Sequence, residues 1–400
     1  MDNYSIKPIT ISKGKIVYSN SSAAIMQIIM SFLTFFTLLT PRDALGFKKL
    51  FLGVALVFSI GAIIRGLQKH KGILVFAIIL PIMMYLLSTI DTGSPTLALS
   101  YLYPFAYLLL IFPIVDWNID VKKIALQVGN IMAAIILLSC ALDFIGALNI
   151  YNNPLLAWLN TNGEAKISKS IYAMFKYVLF FNASPILFFN LTNYIKENKK
   201  GYMVLSFAAL LFTGTRANIY LGAALLMFGM LFLSKKLGTK IIIVIGALLV
   251  VAFFGAELLD RYHILAFAKS SGDLSRVGGF GSIVDTLNSH KSYWLTGMGF
   301  GSTYYNAGKM QIVETSELSY LEFIREIGLP FSIIVFGYLL YPLFKLRKID
   351  GFLLAAFGAY LVAGIFEPFI FTSTGFFVVM MVYAEIMKNK KYKKNIIRGL

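Results

Sequence analysis

Residues 124–147 read I-A-L-Q-V-G-N-I-M-A-A-I-I-L-L-S-C-A-L-D-F-I-G-A, directly after the basic pair Lys122-Lys123. A run of about 20 apolar residues with almost no charge is long enough to cross a ~30 Å hydrocarbon core as a helix. Two lysines at its start mark the end that stays on the cytoplasmic side. Working outward, apolar runs recur at 22–39, 50–64, 72–90, 97–115, 170–191, 202–213, 217–234, 241–258, 329–344, 351–367 and 371–387. The expectation is an all-α polytopic membrane protein of about 12 transmembrane helices, allowing for tilt. An even number of spans puts both termini on one side.

The composition agrees: 58% of residues are hydrophobic and 14% charged, with mean hydropathy +0.75. A soluble domain carries about 25% charged residues. The formal charge of +17 is not a nucleic-acid signature, because it sits in short connectors and the C-terminal tail rather than on a basic stripe with exposed aromatics. Lys and Arg crowd at 65–71, 122–123, 196–200, 235–240, 345–348 and 388–398. The positive-inside rule makes these loops and both termini cytoplasmic, facing anionic lipid. The single cysteine, Cys140, sits in an apolar run and reads as a small apolar filler. The polar start and the length of the first apolar run do not fit a signal peptide.

Three regions follow: a bundle of about nine spans over 1–258, an outer segment over 259–328, and three last spans with a basic tail over 329–400. The 259–328 segment is hydrophilic yet contains Tyr262, Phe267, Phe280, Ile283, Leu287, Tyr293 and Trp294. Apolar spacing at 281–290 and 316–327 is helical. A long loop of this kind is folded, and long ordered loops are commonly functional. The next outer loop, 148–169, rich in Asn, reads as an interfacial segment.

Candidate residues lie on this outer side. In Thr213-Gly214-Thr215-Arg216-Ala217-Asn218, Arg216 opens a helix whose free N–H groups and dipole favour an anion. A guanidinium there suits a phosphate or diphosphate; an arginine snorkelling to headgroups is the competing reading. Asp143 and Lys176 sit near the outer ends of neighbouring spans, where they pair structurally or line a wet cavity. Arg276 precedes the glycine-rich Leu295-Thr296-Gly297-Met298-Gly299-Phe300-Gly301. Gly297, Gly299 and Gly301 let backbone N–H groups approach a ligand, or simply make a turn. Glu317 shares a helical face with Leu321, Ile324 and Gly328. On that apolar face it is a candidate proton acceptor, or an acid that favours the helix dipole. Glu314 and Glu322 read as exposed acids. Arg325 is a reserve anion ligand, and His290 and His263 are lone loop histidines. No HExxH, Walker loop or GxSxG stands out, and the first outer loop, with Asp43 as its carboxylate, has no DxD-type pair to hold a metal.

Together these residues resemble the bacterial O-antigen polymerase and ligase family, the Wzy-like and WaaL-like proteins. The outer G-T-R-A-N hairpin, the Arg276 to W-L-x-G-x-G-F-G element and the helix ending Glu326-Ile327-Gly328 occur in the family's order over roughly 200–345. Ligases of the family resemble each other in an H-N-x-x-L at the head of the last element. Here Glu317-Leu318-Ser319-Tyr320-Leu321 aligns there, so the polymerase branch is preferred. The resemblance implies a metal-independent glycosyltransferase without a cofactor, at the outer face of the cytoplasmic membrane. It would join undecaprenyl-diphosphate-linked oligosaccharide units into O-antigen of lipopolysaccharide, capsule or exopolysaccharide. Arg216 and Arg276 would hold the diphosphate and Glu317 would act as base. Arg325, Gly297, Gly299, Gly301, Lys176, Asp143 and His290 would line the substrate site. A flippase and a chain-length regulator would be its partners, with membrane lipid around it. A ligase moving the glycan to another acceptor is the near alternative, and a lipid-linked oligosaccharide flippase the alternative of another class.

Overall fold

A computed structural model of the chain describes residues 20–91, 95–150, 152–169, 177–233, 276–316 and 318–398. The described part is mostly helical and membrane-embedded. Among the described residues, five helices are long and apolar enough to cross a membrane, or six if one bent pair counts as a single span. The helices relevant to the site are α1 (Asn20–Leu39), α2 (Phe47–Phe58), α3 (Ile60–Lys69), α4 (Lys71–Leu74), α5 (Leu80–Asp91), α6 (Pro95–Leu102), α7 (Ile111–Asp116) and α8 (Val121–Phe144). A π-helical turn, Val75–Ile79, joins α4 to α5, and a 3-10 segment, Tyr103–Leu110, joins α6 to α7.

The bent pair is α2 and α3, which meet at 71°. The break falls at Ser59, whose hydroxyl donates back to the Ala55 carbonyl at 2.6 Å. Such back-bonding competes with the helix ladder and favours a bend. After α8 come α9 (Pro154–Thr161), strands β1 (Ala165–Lys169) and β2 (Tyr177–Phe181), and α10 (Leu187–Lys196). The expected span over 170–191 is therefore corrected. Its part at 177–181 pairs antiparallel with β1, in the register Ala165↔Phe181 to Lys169↔Tyr177. Pro185 sits in a 3-10 turn, and the helix begins only at Leu187. An aromatic and β-branched run such as Y-V-L-F-F suits a buried strand as well as a helix.

Then follow α11 (Lys200–Phe212) and α12 (Arg216–Leu233), the helix α13 over 276–289, α14 (Tyr293–Thr296), strands β3 (Tyr304–Asn306) and β4 (Gln311–Val313), α15 (Ser319–Leu346), α16 (Gly351–Ala363) and α17 (Ser373–Arg398). The expected span at 241–258 lies outside the described residues. In the centre, α17 buries every side chain from Phe376 to Met381 and packs along the Tyr103–Leu110 segment. One set of polar groups inside the bundle is joined in a chain of hydrogen bonds. Asn190 of α10 donates to the Leu126 carbonyl (2.8 Å) and to Asn130 (2.9 Å), and Asn130 donates to Tyr194 (2.6 Å). Without such partners, buried amides in an apolar medium would cost several kcal/mol, on the order of 2–7.

Candidate functional site

The 276–328 segment is folded, as its apolar spacing predicts. Ile283 and Leu287 of α13 close a small core with Tyr304 and Val313 of the β3–β4 hairpin. Ser282 fixes the hairpin by accepting the Ala307 N–H at 2.9 Å. At its far end the segment runs into α15, where Gly328 (φ 76°, ψ 166°) interrupts the helix. The loop helix over 319–327 and the span from Leu329 are thus two helices joined at a left-handed glycine, the boundary marked by the Glu326-Ile327-Gly328 element.

The glycine-rich stretch is spent on this junction. The N–H of Met298 donates to the Arg325 carbonyl (2.8 Å), and that of Gly299 to the Glu326 carbonyl (2.9 Å). A Cβ on Gly297 would lie 2.3 Å from the Glu326 carbonyl oxygen, and one on Gly328 would lie 2.4 Å from that of Leu295. Both glycines have φ near +75°. Two chain segments approach backbone to backbone here, which only glycine permits. The N–H of Phe300 donates to Ser88 of α5 at 2.6 Å, and its ring stacks on Tyr101 at 5.2 Å. The amides at 298, 299 and 300 are satisfied within the protein, so these three donors are not offered to a substrate. Ser302 accepts from Arg325, so the glycines position the loop on the bundle.

Arg325 is the centre of that attachment and is wholly buried. Its Nε and Nη2 donate to Glu322 (2.9 and 2.5 Å), Nη1 to the Ser302 hydroxyl (2.6 Å), and Nη2 to the carbonyls of Ser302 (3.2 Å) and Glu314 (3.0 Å). The guanidinium also lies 4.7 Å over the Tyr304 ring. Glu326 stands 3.7 Å away on the other side, and its Oε1 has no hydrogen-bond partner. The role of reserve diphosphate ligand does not fit a guanidinium without exposed surface and with its donors engaged. Glu322 is corrected too: it is buried and ion-paired rather than exposed. Tyr304 donates to it at 3.3 Å. Burial, and then the Glu322 charge, push the Tyr304 phenol up to about 12, so it stays a donor at neutral pH.

The two other arginines stand on different elements. Arg216 is the first residue of α12 and half-buried. Its turn is pinned by Asn218, which donates to Ser184 (2.9 Å) and to Thr213 (3.2 Å). Gly214, at φ 68°, packs against Val178 of β2. Arg276 is the first described residue of α13, also half-buried. Both carry interactions with the protein. Glu317 and Lys176 lie outside the described residues, so the expected Asp143–Lys176 pair does too. Asp143 accepts the N–H of Ile150 at 3.1 Å. His290 is exposed, its ring edge-on to Tyr293 at 5.1 Å; His263 is outside the described residues.

Sequence reasoning missed the carboxylate that organises the other side of this end. Glu164, wholly buried, accepts the N–H groups of Arg42 (2.7 Å) and Ala44 (2.8 Å). It ties the first loop to the β1–β2 hairpin; a lone acid in an Asn-rich loop gave no pattern to find it by. Among the described residues no group of His, Cys, Asp and Glu could hold a metal ion. The chain matches no family model and no curated protein.

Proposed function

We propose that the protein is a polymerase of lipid-linked oligosaccharide units, working at the outer face of the cytoplasmic membrane with an undecaprenyl-diphosphate donor. One observation carries the reading: Arg216, the first arginine of the resemblance, stands as the first residue of a helix, and Arg276, the second, lies half-buried on the helix of the folded loop. At a helix start a guanidinium fork and free backbone N–H groups can face one anion together. The chemistry is a displacement at the anomeric carbon. The acceptor hydroxyl oxygen forms the new C–O bond, the bond to the diphosphate breaks, and the diphosphate leaves on its lipid. The hydroxyl proton passes to Glu317. Positioned arginines stabilise charge on the leaving group.

Arg216→Ala and Arg276→Ala should each abolish long polymer while the protein still inserts and accumulates. Arg216→Lys should fail as well, because an ammonium does not replace a bidentate fork. Product ladders on gels, at matched protein level, are the measurement. Normal ladders in both alanine variants would remove the clamp.

The orientation belongs to the same reading. We place about 12 spans in the chain by counting the bent pair, one crossing from β2 through α10, α11, α12, α16 and the apolar runs at 241–258 and 371–387 with the five longer helices. Reporters fused after residues 66, 198, 238 and 348 should then read cytoplasmic, and those near 160 and 290 external. An external signal at 238 would move Arg216 to the wrong side for a donor in the outer leaflet.

A further inference from the structure

A cavity of about 810 Å³ lies away from the loop. It opens between α3–α4, α7, α15 and α17, at the bundle end that carries the basic connectors. Its size falls within the range of about 300–1,000 Å³ typical of ligand pockets. Much of the lining is apolar: Ile73, Phe112, Ile333, Ile334, Ile386 and Met387. Ile333 and Ile334 are 60% and 45% exposed, on a flank of α15 that would face acyl chains. The walls are stiff. Tyr338 donates to the Gly72 carbonyl (2.8 Å) and stacks on Phe76 (4.2 Å), and Tyr383 donates to the Tyr338 carbonyl (2.7 Å).

The mouth is cationic. Arg65, Lys69 and Lys390 line it, and Asp116 is its one carboxylate, 3.7 Å from Arg65. Three fixed cations against one acid leave a surplus of two positive charges. His70 stands among them, stacked on Phe112 at 6.0 Å. Burial, and then the charges of Lys390 and Lys69, hold its imidazole below the usual range, so the lysine charges converge on one place. An apolar slot open to the bilayer, with surplus positive charge at its rim, has the two complements of an anionic lipid. A peptide would leave the Ile333–Ile334 flank unfilled, and a free anion would use none of the apolar wall.

We infer that this cavity is a binding site for an anionic phospholipid of the cytoplasmic leaflet, with its phosphate among Arg65, Lys69 and Lys390 and an acyl chain along Ile333, Ile334 and Gly337. The leaflet rests on the proposed orientation, which the reporter fusions test separately; the lipid chemistry does not.

The test is native mass spectrometry of the full-length protein in detergent, titrated with phosphatidylglycerol or with phosphatidylcholine of the same chains. Wild type should retain one phosphatidylglycerol in preference to phosphatidylcholine. The double variant Lys69→Gln/Lys390→Gln should lose phosphatidylglycerol affinity by roughly thirtyfold, at about a fivefold loss per lysine, and lose the discrimination with it. Gly337→Phe should exclude both lipids. Gly337 has open space where its Cβ would go, so that variant keeps the test decisive if the charge variant misfolds. Glycerol phosphate, carrying the headgroup chemistry without a chain, should not compete. Equal retention of the two lipids by wild type, full competition by glycerol phosphate, or unchanged lipid binding in Gly337→Phe would each overturn the site.

Discussion

Arg325→Ala is expected to release the 276–328 segment from the bundle while the helices stay in the membrane. The substitution leaves Glu322 buried without its cation. It also leaves the carbonyls of Ser302 and Glu314 without their donor. Removing one partner of a buried ion pair costs about 3–5 kcal/mol, because the remaining charge is uncompensated. The other contacts on this side of the loop include two backbone hydrogen bonds from Met298 and Gly299, one from Phe300 to Ser88, and the stack of Phe300 on Tyr101. Limited proteolysis of purified protein should show cleavage within 290–315 in Arg325→Ala at protease levels that leave wild type intact. Arg325→Lys should behave nearly as badly, since one ammonium cannot serve Glu322, the Ser302 hydroxyl and two carbonyls at once.

A second substitution separates this account from a simple loss of packing. If the damage is the orphaned Glu322 charge, Glu322→Leu combined with Arg325→Met should recover much of the protection, because replacing both partners of a buried pair by apolar groups is often neutral or stabilising. Equal sensitivity of the double variant and Arg325→Ala would assign the damage to the carbonyls of Ser302 and Glu314 instead. Protection unchanged in Arg325→Ala would end the view that this side chain fastens the loop. On the proposed function, any loss of polymer in Arg325 variants is then an effect of position, since the guanidinium is wholly buried.

How much of this could be read beforehand follows from what a sequence encodes. The apolar runs gave the helical membrane class directly. The glycine at 328, between an acidic helix and an apolar run, marked where loop becomes span, and the helix breaks there. The stretch 170–191 misled because length and hydropathy do not separate a membrane helix from a strand followed by a Pro-initiated helix. Gly297 and Gly299 were legible as backbone approaching something. A sequence cannot say whether that partner is a phosphate or, as here, the carbonyls of Arg325 and Glu326. Glu322 read as an exposed acid and Arg325 as a reserve anion ligand. Their burial comes from the loop folding back over them, a long-range contact with Ser302 and Tyr304 that local periodicity does not carry. Glu164 was invisible for the same reason, since its partners Arg42 and Ala44 are far away in sequence.

The last expectation concerns the proton of the acceptor. Glu317→Gln should keep the fold, because the side chains are nearly isosteric and the neighbours are anchored independently. Ser316 is buried and accepts the N–H of Leu318 at 3.2 Å, and Ser319 donates to the Glu367 carbonyl at 2.8 Å. If Glu317 takes the proton, the variant should lose activity by about 10²–10⁴-fold, the usual contribution of a general base. Glu314→Gln is the fitting control: its side chain is exposed, and Arg325 uses its carbonyl, which the substitution leaves in place. Glu322→Gln cannot serve as a control, because it would weaken the buried pair. The competing idea is that Glu317 only complements the helix dipole, worth about 0.3–1 kcal/mol. On that view the variant stays near wild type. Purified protein with a synthetic lipid-diphosphate donor and an acceptor, assayed across pH, separates the two. A base should take its acidic limb away with it when replaced, whereas a dipole partner should leave the profile's shape intact. A Glu317→Gln enzyme keeping more than about a tenth of the wild-type rate would exclude a base of that strength. The proton would then have to go to another group of the loop, with the exposed imidazole of His290 the first to test and His263 the second.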